Sequence, residues 1–249
     1  TGKSSTMYYL SEQYPDKKII YLTFNSSLAE DTKRKFVSLP HVHVTTIHSF
    51  AYNFFQNTLN HIVRKLPNSF LESTLNIKTE KNCNVFRKKL DSFCQSSSFT
   101  IWDDDILKVF NHKNPENNTY VTHDMYLKIF QMCKTKMSYD IVILDEAQDC
   151  TPCILDIVMR QKQATRIIIG DVHQQIYEFR GVCNPFQAIE NYIDHRFFLT
   201  TTFRYGYELS ELTTTFLKLF KSEVNEIKSH EGLSTKVYHD PSLHNMPKG

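Results

Sequence analysis

Along the chain, short unbroken apolar runs alternate with polar stretches whose hydrophobic positions recur at helical spacing, the pattern of strands joined by helices. Ile19-Ile20-Tyr21-Leu22-Thr23-Phe24 is such a run, with residues suited to a helix from Lys3 to about Gln13 before it and a helix start at Ser26-Ser27 after it. Val42 to Thr45 reads as the next strand. Ile47 to Phe55 follows as a helix with Ile47, Phe50, Ala51, Phe54 and Phe55 on one face. From about Asn57 to Tyr139 the alternation stops. Asn, Ser, Lys and Asp rise there, and helical patches near 85–93, 106–110 and 123–132 replace strands, which predicts a helical insertion. Ile141–Leu144, a helix from about Pro152 to Arg160, and Arg166–Ile169 restore the pattern as two wholly apolar strands joined by a crossover helix. After Phe197-Phe198-Leu199, a helix from about Tyr207 to Lys221 and a weak strand near Thr235–Tyr238 read as the start of another domain. The economical architecture is α/β, a parallel sheet covered by helices on both faces, with its active edge at the carboxyl ends of the strands.

Composition narrows the picture. The 249 residues are 41% hydrophobic and 22% charged, so disorder is not the default. A net charge of only +2 requires any nucleic-acid partner to be met by a local basic patch. No run of eighteen apolar residues and no signal-like start occurs, so the chain is expected to be soluble and intracellular, nuclear in a eukaryote and cytoplasmic otherwise, without a membrane partner. Six scattered cysteines read as reduced thiols.

Chemistry gathers at the strand ends. Asp145 and Glu146 follow one buried strand and Gly170-Asp171 the other, where carboxylates face the ligand crevice. In the string Asp145-Glu146-Ala147-Gln148-Asp149, a metal-site acid stands beside a water-orienting acid, as nucleotide hydrolysis requires. Gly2-Lys3-Ser4-Ser5 matches the last part of a phosphate-binding loop, in which Lys contacts the β- and γ-phosphates and the next hydroxyl holds Mg²⁺ at a helix N-terminus. Because the upstream half of that loop does not precede Thr1, the sequence is expected to be an internal piece of something longer. From Gly170 to Gly181, backbone amides able to sense a γ-phosphate precede Tyr177, Phe179 and Arg180, rings and a cation suited to holding unpaired bases.

Four strings together resemble superfamily 1 helicases of the UvrD/Rep type: Gly2-Lys3-Ser4, Thr45-Thr46-Ile47-His48-Ser49-Phe50, the acidic box at 145–149, and Gly170-Asp171 through Arg180-Gly181. Thr122-His123-Asp124-Met125-Tyr126-Leu127-Lys128 and Asp149-Cys150-Thr151-Pro152 look most like the F-box DNA helicase branch. The resemblance implies a P-loop NTPase of RecA-like fold. Motor domain 1A would comprise residues 1–56 and 139–198, a 1B-like insertion residues 57–138, and the start of a second motor domain residues 199–249. It implies ATP and Mg²⁺ as cofactors, with Gly2, Lys3, Ser4 and Ser5 around the phosphates and Ser4 and Asp145 on the metal. Glu146 would position or deprotonate the attacking water, Gln174 and Arg204 would meet the γ-phosphate, and Phe203 would stack on adenine. Single-stranded DNA and duplex junctions become the implied partners. Phe24, Asn25, Thr46, Ile47, His48 and Ser49 match positions that track the strand, and Tyr177, Phe179 and Arg180 its stacking and backbone contacts. The activity implied is ATP-driven 3′ to 5′ translocation and unwinding in DNA repair or recombination.

Nothing beyond Tyr207 resembles the later motifs, including a second arginine completing the ATP site. The isolated chain is therefore expected to be a poor ATPase, and the alternative reading is an inactive module that binds nucleic acid or a partner. Other clusters read blandly. Cys150-Thr151-Pro152-Cys153 lacks a second ligand pair for zinc, Asp103-Asp104-Asp105 suits a helix start, Lys33-Arg34-Lys35 and Arg87-Lys88-Lys89 suit solvated faces, and Trp102 suits packing.

Overall fold

The computed structural model describes residues 2–56, 59, 61–112, 120–174 and 185–237. They fall into two compact units, residues 11–192 and residues 1–10 with 193–249. The elements run α1 (Lys3–Glu12), β1 (Ile19–Thr23), α2 (Ser26–Lys35), β2 (Val42–Thr46) and α3 (Ile47–Phe55). The inserted stretch follows with β3 (His61–Val63), α4 (Asn68–Leu75), α5 (Glu80–Gln95), α6 (Asp104–Asn111), β4 (Tyr120–Thr122) and α7 (His123–Met132). Then come β5 (Ile141–Leu144), α8 (Pro152–Met159), β6 (Thr165–Ile168), a short α9 (Pro185–Ala188), β7 (Thr201–Thr202), α10 (Tyr207–Lys221) and β8 (Lys228–Ser229).

In the larger unit the sheet order is β2-β1-β5-β6 and every pairing is parallel. This is the α/β fold expected from the alternation, a parallel sheet flanked by helices. The two central strands are apolar because both faces are covered: every residue of β1 and β5 is buried. Each large aliphatic side chain so enclosed stabilises the fold by roughly 1.5–3 kcal/mol relative to exposure. β6 departs from the expectation of a wholly covered strand, since Thr165 is exposed and Arg166 to Ile168 are only half-buried at the edge of the sheet among the described residues.

Threonine caps set the start of three of the helices. Thr46 accepts the Ser49 N–H at 3.0 Å to open α3, Thr122 accepts the Met125 N–H at 3.3 Å to open α7, and Thr151 accepts the Ile154 N–H at 3.4 Å before Pro152 of α8. α7 packs against α3, α5 and α8, so the insertion is anchored on the helices of the sheet. The insertion is not purely helical. β3 and β4 form a parallel pair, His61 opposite Tyr120 and Val63 opposite Thr122. Strands of three residues lie below the length at which alternation is visible in a sequence.

Other expectations also change. Arg87 is buried, donating to Leu66 O at 2.6 and 3.0 Å and to Asn68 Oδ1 at 2.5 Å, so the basic triplet 87–89 is not simply a solvated face. Trp102 is 87% exposed and does not pack. Asp103 does cap a helix, accepting the N–H groups of Asp105 and Ile106. In the smaller unit, β7 pairs with Lys228–Ser229 and not with the stretch near 235. The Thr235 hydroxyl instead accepts the N–H of Gly206 at 2.8 Å, and Tyr238 lies outside the described residues. Phe197, Phe198 and Leu199 are exposed and precede β7 without joining it.

Candidate functional site

The register of the sheet places its motif residues along one edge. Thr23 lies opposite Thr46, Leu22 opposite Leu144, and Leu144 opposite Ile168. Phe24-Asn25, Ile47-His48, Asp145-Glu146 and Gly170-Asp171 therefore all leave the sheet at its carboxyl end. The ladder continues one step further through Asp145 N–H to Leu22 O at 2.9 Å and Ile169 N–H to Leu144 O at 2.8 Å, which fixes the acidic turn against its neighbours.

Asp145 is only 1% exposed. Its Oδ2 accepts the Tyr21 hydroxyl at 2.6 Å and its Oδ1 the N–H of Glu146 at 2.9 Å, so the buried carboxylate is oriented from both sides. Glu146 adopts the left-handed backbone region (φ 52°, ψ 44°), a conformation that costs a non-glycine residue about 1–3 kcal/mol and is concentrated at functional turns. This turn carries Glu146 to half-exposure, beside Gln148. Gln148 is buried and uses both ends of its amide: Nε2 donates to Glu146 Oε2 at 2.8 Å and Oε1 accepts the Asp171 N–H at 3.0 Å. Gly170 is required for this approach. A Cβ there would lie 2.5 Å from Gln148 Oε1 and 2.7 Å from Phe186 Cζ. Asp171 in turn accepts the His173 N–H at 2.9 Å and the Gln174 side-chain amide at 2.7 Å, holding Gln174 at the surface of a short turn. Sequence pattern does not single out Tyr21, which reads as one more apolar strand residue. Gln148 stands inside the acidic box, and its role becomes visible only when the two strand ends are seen side by side.

The positions expected to track a DNA strand sit beside this edge. Asn25 caps α2 by accepting the Leu28 N–H at 2.8 Å, and Phe24 is half-buried. Ser26, Glu30 and Lys33 of α2, Thr46 of β2, and Ser49 and Asn53 of α3 line one cleft of ≈310 Å³, with Lys33 ion-paired to Glu30 at 3.0 Å. Two helix N-termini flank that cleft, an arrangement suited to anionic groups. Ile47 is 1% exposed, so its side chain belongs to the core. His48 is half-buried and Ser49 exposed. Tyr177, Phe179 and Arg180 lie outside the described residues.

The smaller unit carries the remaining positions. Gly2 has φ +88°, a backbone state natural only to glycine, and its carbonyl accepts the Thr6 N–H at 2.9 Å to start α1 with Lys3, Ser4 and Ser5 in the first turn. Phe203 is exposed with its ring 4.8 Å from that of His230, and Arg204 is exposed beside it. Among the described residues, no three His, Cys, Asp or Glu side chains gather to hold a metal. The hard oxygen of an oriented carboxylate suits Mg²⁺, which binds through one or two such groups and completes its shell with phosphates and water. Zinc chemistry at Cys150 and Cys153 has no such support. Both thiols are free and buried, and burial raises both, Cys153 to about 12.

A parallel four-stranded sheet flanked by helices, with acidic turns at its carboxyl edge, is the architecture of a RecA-like α/β domain. Residues 104–191 match the UvrD/REP helicase N-terminal domain. The chain is similar to F-box DNA helicase 1 of Gallus gallus, 30% identical over 91% of this chain and 26% of that protein. It is also 27% identical to F-box DNA helicase protein 1 of Schizosaccharomyces pombe, over 88% of this chain and 30% of that one. The chain thus spans between a quarter and a third of these relatives' length. No helix among the described residues is long and apolar enough to cross a membrane.

Proposed function

We propose that the chain is part of an ATP-dependent DNA helicase that translocates 3′ to 5′ on single-stranded DNA and unwinds duplex junctions in DNA repair or recombination. The observation that carries this reading is the gathering of Asp145-Glu146, Asp171, Asn25 and Thr46 at one carboxyl edge, with Gln148 bonded to both acidic turns. Relatives named as DNA helicases support it.

In this reading residues 1–56 and 139–198 build the first motor domain, residues 57–138 its insertion, and residues 199–249 open the second. Asp145 and Ser4 hold Mg²⁺, which neutralises charge on the bound triphosphate. Lys3 and the first-turn amides of α1 bind the phosphates, and Glu146 orients the attacking water. Gln174 and Arg204 meet the γ-phosphate, while exposed Phe203 offers its face to adenine. The cleft between α2 and α3 takes backbone phosphates of the DNA, so binding weakens with added salt.

Phosphate release from Mg²⁺-ATP with and without oligo(dT) tests the proposal. Hydrolysis stimulated by oligo(dT) is expected, slow in the chain by itself, and both Lys3→Ala and Glu146→Gln should lower it by about 100-fold or more. Retained turnover in both variants overturns the reading.

A further inference from the structure

His48 and Asp124 come from different parts of the chain and meet at the first turns of α3 and α7. Each helix is opened by a threonine cap, Thr46 and Thr122, and each residue stands two positions beyond its cap. Asp124 Oδ1 lies 3.5 Å from His48 Nε2, and Gln95 of α5 donates to the other carboxylate oxygen at 3.3 Å. Tyr126 places its ring edge-on to the imidazole at 6.3 Å, and Tyr52 stands 6.1 Å from Tyr126. The imidazole is thus fenced by a carboxylate and a ring while remaining half-exposed. The first turn of a helix favours an anion, which suits Asp124 and disfavours a cation at His48, so the carboxylate itself has to stabilise a charged imidazole. His48 before all, then Gln95 and the nearby His123, holds the Asp124 carboxyl below the usual carboxylate range. Neighbouring Asp91 on α5 is raised by burial and then by the Asp124 charge, whereas Asp124 itself is lowered.

We propose that Asp124, on the inserted segment, is a positioning residue for His48: it takes the Nε2 side of the ring and presents Nδ1 to the DNA backbone. This rests on the helicase reading above, in which α3 tracks single-stranded DNA. Nδ1 has no partner among the described residues. A neutral ring whose Nε2–H faces a carboxylate offers only a lone pair at Nδ1, which repels a phosphate. A protonated ring offers N–H groups on both sides, so carboxylate and phosphate flank one cation in charge-assisted bonds. The insertion thereby gains a direct hold on a strand-tracking side chain, something that packing of α7 on α3 does not by itself provide.

The test is a double-mutant cycle on the full chain, with fluorescein-labelled oligo(dT) followed by anisotropy at fixed salt. Asp124→Asn and His48→Gln should each weaken binding about three- to tenfold, and the double variant should bind no worse than His48→Gln alone. Asp124→Glu should recover part of the loss, with unfolding midpoints unchanged across the set. Side-chain ¹⁵N spectra should show both His48 nitrogens protonated in the DNA complex of the wild type and not in that of Asp124→Asn. Unchanged binding by Asp124→Asn, additive losses, or a loss that tracks a fall in the unfolding midpoint overturns the proposal while leaving the helicase reading intact. Failure of the wild type to bind oligo(dT) overturns both.

Discussion

Gln148 donates its side-chain amide to Glu146 at 2.8 Å while its oxygen takes the backbone N–H of Asp171 at 3.0 Å. One buried amide therefore links the acidic turn after β5 to the turn after β6. Gln148→Leu keeps much of the volume but strands the Asp171 N–H and releases Glu146. Loss of a buried hydrogen-bond partner costs about 1–3 kcal/mol, to be read from urea unfolding. In the proposed reaction, oligo(dT)-stimulated turnover should fall by about 10-fold or more with ATP binding retained, because Glu146 loses its orientation. Equal turnover in wild type and variant refutes a positioning role for Gln148.

Lys128 supplies a pH-dependent prediction. Its side chain is fully buried, donates to Ser96 O at 2.9 Å, Ser98 O at 2.5 Å and Gln131 Oε1 at 2.8 Å, and lies 4.5 Å above the Phe93 ring. Lys128→Met leaves those acceptors without their donor and should destabilise the chain by about 2–4 kcal/mol at neutral pH. Burial lowers the Lys128 ammonium from its ordinary 10.5, so above its folded value the unfolded chain binds more protons than the folded one. Wild-type stability should accordingly rise relative to Lys128→Met as pH climbs toward 10.5. Parallel stability curves for the two proteins between pH 8 and 10.5 contradict this.

The alternation of apolar runs marks all four strands of the large sheet because β1 and β5 are covered on both faces and carry few competing signals. It misses β3 and β4, where three residues cannot display a period, and it expects a strand near 235, where the Thr235 hydroxyl serves Gly206 instead of a ladder. The acids at positions 145, 146 and 171 are legible because each follows an apolar strand whose carboxyl end, in a parallel α/β sheet, is where ligands bind. Tyr21 is not legible: its ring packs at 5.3 Å from Phe36 like any core aromatic, and only its hydroxyl reaches Asp145. Trp102 and Arg87 show the converse, a large apolar residue left in solvent and a cation taken inside because backbone and amide oxygens receive it.

Among the described residues, thiol chemistry separates the buried cysteines from exposed Cys133. Cys150 and Cys153 are buried with their thiols raised by desolvation, whereas Cys133 is exposed. Since the thiolate is the reactive and metal-binding form, iodoacetamide at pH 8 should label Cys133 in the native chain and spare Cys150 and Cys153 until denaturant is added. Peptide mapping by mass spectrometry reads the outcome. Native labelling of Cys150, or zinc retained through gel filtration, contradicts the structural reading of the pair.

Tyr21→Phe isolates the hydrogen bond that orients Asp145, the acid proposed to hold the metal. The ring stays in the core while the 2.6 Å bond from the hydroxyl to Asp145 Oδ2 is lost, leaving a nearly inaccessible carboxylate with less compensation for its charge. A hydrogen bond to an ionised group contributes about 1.5–3 kcal/mol, so Tyr21→Phe should destabilise the chain by that amount. The effect should depend on Asp145. In an Asp145→Asn background the acceptor is no longer charged, and removing the hydroxyl should cost about half as much. Added Mg²⁺ with a non-hydrolysable ATP analogue provides an independent reading: if Asp145 holds the metal, ligand-induced stabilisation of wild type should exceed that of Tyr21→Phe and vanish in Asp145→Asn. Equal stabilisation of all three proteins would place the metal away from Asp145, and identical destabilisation by Tyr21→Phe in both backgrounds would assign the hydroxyl's value to packing.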